Sequence, residues 1–172
     1  MHTKARIHPF PYLLLCLLGA AGLLLTPAAH AQSALDTFMH IEGIPGESAV
    51  IGHENDIALT SYSQTFGTKN CSRVVAVKSI DRASPALISN AAANTLLPSV
   101  IISISKAMAR GAGDFFRATL QSVLIERVEV SDAMGTLVER VVLKPTAIRI
   151  EYRAQAPDGS MLPPVVTDIE CM

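Results

Sequence analysis

The chain predicts a mainly β domain: an antiparallel β barrel or sandwich of two sheets with one lateral α-helix. Three observations carry this expectation. Apolar and polar side chains alternate with a period of two along much of the sequence, as in strands with one buried face. A single stretch, 84–96, follows the helical period instead. Glycine, proline and polar clusters separate the runs, supplying turns at their ends.

Residues 1–31 stand apart from that pattern. Lys4 and Arg6 precede an uncharged apolar stretch over 13–25, followed by TPAAHA. The stretch is shorter than the roughly 20 residues of a membrane span and suits the core of a secretory signal. Ala29-His30-Ala31 has the A-x-A form of a cleavage site, which places the new terminus at Gln32. Residues 32–172 then form one domain, expected in the periplasm or secreted. No later stretch reads as a membrane span.

The first strand is read over 37–42, ending in the loop 43–46 with its Gly-x-Pro-Gly tail. Short β-like runs follow at 57–62 and 74–78. Ser84 and Pro85 read as an N-cap and first-turn pair. Leu87 with Ala91, and Ile88 with Ala92 and Leu96, lie on i,i+4 rows, and Pro98 is expected to stop the helix. In the run 99–105, Val100, Ile102 and Ile104 share one face, with Ser103 and Ser105 opposite. Gly111, Ala112 and Gly113 read as a hairpin turn within a loop at 111–114. From Phe116, even positions are apolar as far as Leu120; Val123 and Ile125 break that parity, as a bulge would. Further strands are expected at 139–143 and 147–153, with Gly135 marking a turn before them and 156–164 forming a loop.

Composition narrows the function. Of 172 residues, 49% are hydrophobic and 17% charged, with a formal net charge of −1. Loss of Lys4 and Arg6 with the signal makes the remainder more acidic, so no basic excess exists to track a nucleic acid backbone. The apolar content also excludes a disordered chain.

Signal removal also takes Cys16 and leaves Cys71 and Cys171 in a compartment that permits disulfides. A bridge between them would close a very long loop, worth about 4–5 kcal/mol in the chain-entropy model. Two free thiols or an intermolecular bridge are the alternatives. His40, His53, Cys71 and Cys171 have zinc-ligand chemistry but lack short ligand spacings.

Little else asks for chemistry. His40 lies on a strand face that alternation makes solvated, and His53 sits in a polar Gly-His-Glu-Asn-Asp loop. Glu42, Glu47, Glu54 and Asp56 cluster without calcium-loop spacing. There is no G-x-S-x-G elbow. No catalytic residue, metal or cofactor is expected.

An ordered set of motifs resembles one known family. The segment FMHIEGIPGES (38–48) resembles the opening strand and G-x-x-G-E-S turn of the Hcp family, the tube proteins of type VI secretion. The segment IALTSYS (57–63) resembles its second strand, and KSIDRASPAL (78–87) is similar to its K-x-x-D-K-A-S-P-x-L entry into the helix. The segments at 120–135, 139–145 and 148–152 follow in the same order. Gly43, Gly46, Glu47, Ser48, Asp81, Ala83, Ser84 and Pro85 are the residues that match its motifs. The resemblance implies a β barrel with a lateral helix, assembled as a hexameric ring. Such rings stack into a tube and carry small effectors, with secretion-apparatus components as partners and no catalysis. The export signal departs from the family's tube proteins. It leaves room for an exported carrier, adaptor or effector outside a tube and, more remotely, a small hydrolase.

Overall fold

The alternating rows close on one another. The computed structural model describes residues 35–171 except 68–69, 72, 109–110 and 134, so the predicted signal and its Ala31/Gln32 junction lie outside the described residues. The elements are β1 (Leu35–His40), β2 (Ile57–Leu59), β3 (Ser61–Ser63), β4 (Phe66–Gly67), β5 (Asn70–Cys71), β6 (Val74–Ser79), α1 (Ser84–Ala92), β7 (Leu96–Met108), β8 (Gly111–Ala133), β9 (Thr136–Lys144), β10 (Ala147–Tyr152) and β11 (Val165–Glu170).

All pairings are antiparallel. The main sheet runs β2-β1-β7-β8-β9-β6-β3. Only Thr60 separates β2 from β3, and its N–H donates to Val77 O at 2.8 Å. One chain segment is therefore both first and last strand, and the sheet is a closed barrel, which removes most of its edges. Met39, Ile57, Val74, Val100, Leu120 and Leu143 fill the interior. Outside the barrel, β10 pairs along β8 and carries β11 as an edge strand.

Several local expectations are corrected. The helix ends at Ala92 rather than running to Leu96: Asn94 takes a left-handed φ of +52°, and Leu96 opens β7. Pro98 therefore lies inside a strand and stops nothing. It falls opposite Ser122, whose φ is +46°, and burial parity flips there in both strands. That paired kink explains why Leu120 and Val123 are both buried.

Ser84 is not the N-cap. Ala83 holds that position, and its N–H donates to Asp81 Oδ1 at 2.8 Å. That bond takes the N–H of the N-cap residue itself, and no N-cap side chain bonds into the first turn. Ser84 turns inward instead, with Pro85 beside it in the first turn.

Gly111, Ala112 and Gly113 form the start of β8, paired with residues 106–108 of β7, and so are strand rather than turn. Ser103 and Ser105 are buried rather than wet, because both faces of β7 are covered at this end. His53 is buried too, although its loop is polar.

Candidate functional site

The motif residues come together at one end of the barrel. After β1 the chain turns at Gly43, with φ of +79°, and runs back so that its two limbs pair. Gly46 N–H donates to Asn55 O at 2.7 Å, and Ser48 N–H to Asp56 O at 3.0 Å. Gly46 is packed so closely that a Cβ there would collide with the Asp56 carbonyl oxygen and Ile57 Cα. The absence of a side chain, rather than a positive φ, is what this position requires.

Arg82 ties this loop to the helix entry. Its guanidinium donates to Gly46 O through Nε and to Asn55 Oδ1 at 2.6 Å, while its backbone N–H reaches Glu47 Oε1 at 3.1 Å. The two motif turns thus form one assembly. Beside it, Glu47, Ser48, Thr60 and Asp81 line a shallow groove of about 230 Å³.

Beneath the helix lies a closed polar cluster. Lys78 Nζ, with its side chain wholly buried, meets Glu139 Oε2 and Asp81 Oδ1, each at 2.7 Å, and Ser84 Oγ at 2.9 Å. Ser84 in turn donates to Glu139 Oε2 at 2.7 Å. Lys78 and Glu139 are cross-strand partners between β6 and β9, so ladder register places them in contact. Glu139 Oε1 has no hydrogen-bond partner among the described residues. The cluster fixes the helix on the barrel, and its Lys78–Glu139 pair is wholly enclosed.

A second polar network borders a cleft of about 410 Å³ whose lining includes His53, Ser105, Asp114, Arg117, Glu151 and Arg153. His53 Nδ1 lies 2.9 Å from Asp56 Oδ2, and its Nε2 lies 2.9 Å from Asp114 Oδ1. His40 Nδ1 takes the other Asp56 oxygen at 2.8 Å. Ser105 Oγ donates to Asp114 Oδ1 at 2.5 Å, and Arg117 holds Asp114 Oδ2 at 2.9 Å. Burial pushes the Asp114 carboxyl up, but hydrogen bonds from Ser105, Arg117 and His53 outweigh it and hold the group below its ordinary range.

Ser105, His53 and Asp56 share the residue types of a hydrolytic triad, with Ser105 Oγ at 3.3 Å from Nε2. The arrangement is blocked. Asp114 occupies the face of Nε2 that would take the serine proton, and Ser105 is only 1% exposed.

Of the acidic residues grouped in sequence, only Asp56 enters this network. Glu47 serves Arg82, Glu54 Oε2 accepts from Gly52 N–H at 2.9 Å, and Glu42 reaches only His40, at 3.8 Å. Cys71 and Cys171 form a disulfide, which joins β5 to the residue after β11 and removes both thiols from any metal site. Sequence reading had no signal for Asp114 and Ser105, because they face His53 from 61 and 52 positions away.

A sequence model of the family described as "Type VI secretion system effector, Hcp" matches residues 38–152. The chain belongs to the Hcp family of type VI secretion. Among solved structures, Hcp1 from Salmonella typhimurium is 25% identical with a TM-score of 0.69, covering 80% of this chain and 94% of that one. A type VI secretion system effector from Yersinia pestis is 21% identical with a TM-score of 0.67, covering 78% and 99%. The secreted protein Hcp3 from Pseudomonas aeruginosa is 17% identical with a TM-score of 0.65, covering 81% and 99%. At these last two identities the likeness is one of fold. Comparison with curated proteins gives no match. The Hcp match spans both motif turns and ends at Tyr152, so loop 153–164 and β11 lie beyond it.

Proposed function

We propose that this Hcp protein is a structural, non-catalytic component of a type VI secretion system that forms hexameric rings, stacks them into a tube and carries small effectors. The observation that carries this reading is the family match across 38–152, with both motif turns in place. The surface supports assembly. Among the described residues β11 pairs on its β10 side alone, and Val165 and Val166 on it are exposed. An edge strand with apolar side chains is suited to being covered by another subunit. The blocked Ser105–His53–Asp56 arrangement supports a role without catalysis.

Export through the predicted signal, with cleavage between Ala31 and Gln32, is part of the proposal. The Cys71–Cys171 bridge favours an oxidising compartment. The same bridge and signal favour, as a second reading, an exported Hcp carrier, adaptor or effector that never enters a tube.

Native mass spectrometry of protein recovered from the periplasm without reductant tests both. A processed, internally bridged hexamer is the expected result, and electron microscopy of the rings then asks whether they stack. Rings that do not stack would favour the second reading. A processed monomer would overturn the ring, and an unprocessed chain would overturn the export.

A further inference from the structure

His53 is held as no neutral imidazole can be. Both of its nitrogens face carboxylate oxygens at 2.9 Å, Asp56 on the Nδ1 side and Asp114 on the Nε2 side. Neutral imidazole has one N–H, whereas carboxylates only accept, so satisfying both contacts requires the doubly protonated ring. Phe38 of β1 stacks on that ring, with centroids 4.1 Å apart and planes 9° from parallel, a favourable face for a cation.

The two carboxylates belong to different parts of the fold. Asp56 ends the loop between β1 and β2, and Asp114 stands near the start of β8. The geometry points to a proton-operated latch: protonated His53 clips the β1–β2 loop to the start of β8 at the cleft, and loss of its Nε2 proton releases that clip.

The partners decide which proton leaves. Without the His53 bond, Asp114 is still held by the charged Arg117 guanidinium whichever way Ser105 turns, while Asp56 has the His40 ring. Giving up the Nε2 proton therefore leaves the better-satisfied carboxylate. Ser105 Oγ, 3.3 Å from Nε2, can then turn its hydroxyl from Asp114 to the bare nitrogen. The charged and titratable groups around the ring are His40 of β1 with Glu42 beyond it, Asp56, and Asp114 and Arg117 of β8. Glu151 and Arg153 line the cleft beside them.

The pH window has two limits. The clip is complete while the ring carries both protons and is lost as pH rises past the loss of one. On the acid side it needs ionised Asp114, whose carboxyl is held below its ordinary range, so that side fails last.

The test uses the signal-processed chain. Long-range proton–nitrogen NMR of the ring between about pH 5 and about pH 9 covers the range in which histidines titrate. It is expected to show both nitrogens protonated at the acid end and an Nδ1–H ring at the alkaline end. Across that step the melting temperature should fall by about 3 °C more in the wild type than in Asp114→Asn. His40→Gln should keep the excess fall, because of the latch's two carboxylates His40 touches Asp56 and not Asp114.

A ring neutral throughout, or an Nε2–H ring at alkaline pH, would overturn the latch. So would an excess fall that vanishes in His40→Gln. The NMR result stands on the wild type alone if Asp114→Asn does not fold.

Discussion

Two polar clusters hold this Hcp barrel together, and they differ in their access to water. Under the helix, Lys78, Ser84 and Glu139 are packed away, with Lys78 and Glu139 wholly enclosed and Asp81 at the cluster's outer edge. At the cleft, His53 and Asp114 line the opening, with Asp56 buried behind them. Enclosed charges cannot be exchanged for water, so each depends on the other. Charges at a cleft edge can lose a proton and settle on a nearby hydroxyl. One cluster is built to stay fixed, the other to respond.

The enclosed cluster gives the sharpest way to break that contrast. Lys78→Met leaves Asp81 and Glu139 facing each other without their cation, and removing one partner of a buried pair costs about 4 kcal/mol. Adding Glu139→Leu should recover part of the loss, since the uncompensated charge and the unpartnered Oε1 both go. Urea unfolding of the single and double variants checks this. A double variant as weak as the single would show that the pair itself, rather than the orphaned charge, sets the cost.

Next in size is the disulfide. Cys71 and Cys171 are separated by 100 residues, and Cys71→Ser should lower stability by about 3 kcal/mol, allowing for an effect smaller than chain entropy alone predicts. A reductant should lower the wild-type melting temperature and leave that of Cys71→Ser unchanged. Equal melts for the two proteins without reductant would show that no bridge stabilises the wild type. This variant separates barrel from arm, because β11 hangs on β10 and on this bridge, not on the barrel wall.

The same divide between local and distant contacts governs what the sequence revealed. Alternation at 99–105 and 147–153 exposed the strands, and Ser84-Pro85 exposed the helix start to within one residue. The cap assignment failed because the helix begins one residue earlier, at Ser84, whose side chain turns inward to Glu139, 55 positions away. Pro98 misled because a proline opposite a left-handed residue can kink a strand as well as end a helix. The motif turns were legible as a resemblance, with Arg82 standing among them, whereas the His53 network was not. Its members come from β1, a loop, β7 and β8, and each read singly as a solvated residue or a turn.

Two glycines in one motif turn sharpen the comparison at smaller scale. Gly46 is enclosed by backbone, so Gly46→Ala should cost about 2 kcal/mol as the Asp56–Ile57 peptide is pushed aside. Gly43 has open space around it and a φ of +79°. There Ala should cost only about 1 kcal/mol, from the left-handed backbone alone. Thermal melts rank the two, and a reversed order would mean that the loop yields more easily than its pairing suggests.

The smallest effect belongs to the best-looking surface pair. On the arm, Arg149 makes two hydrogen bonds to Asp168 at 2.8 and 3.0 Å, linking β10 to β11. Those bonds hold the Asp168 carboxyl below its ordinary range, so whatever the pair adds is present above that range and fades as pH falls through the lowered value. Both groups are in water, where salt screens the attraction and ordering two long side chains offsets it. Arg149→Ala should therefore leave the melting temperature unchanged at low and at high salt. A clear loss at low salt that disappears at high salt would show that the charge pair, and not the strand ladder with its disulfide, keeps β11 on the arm.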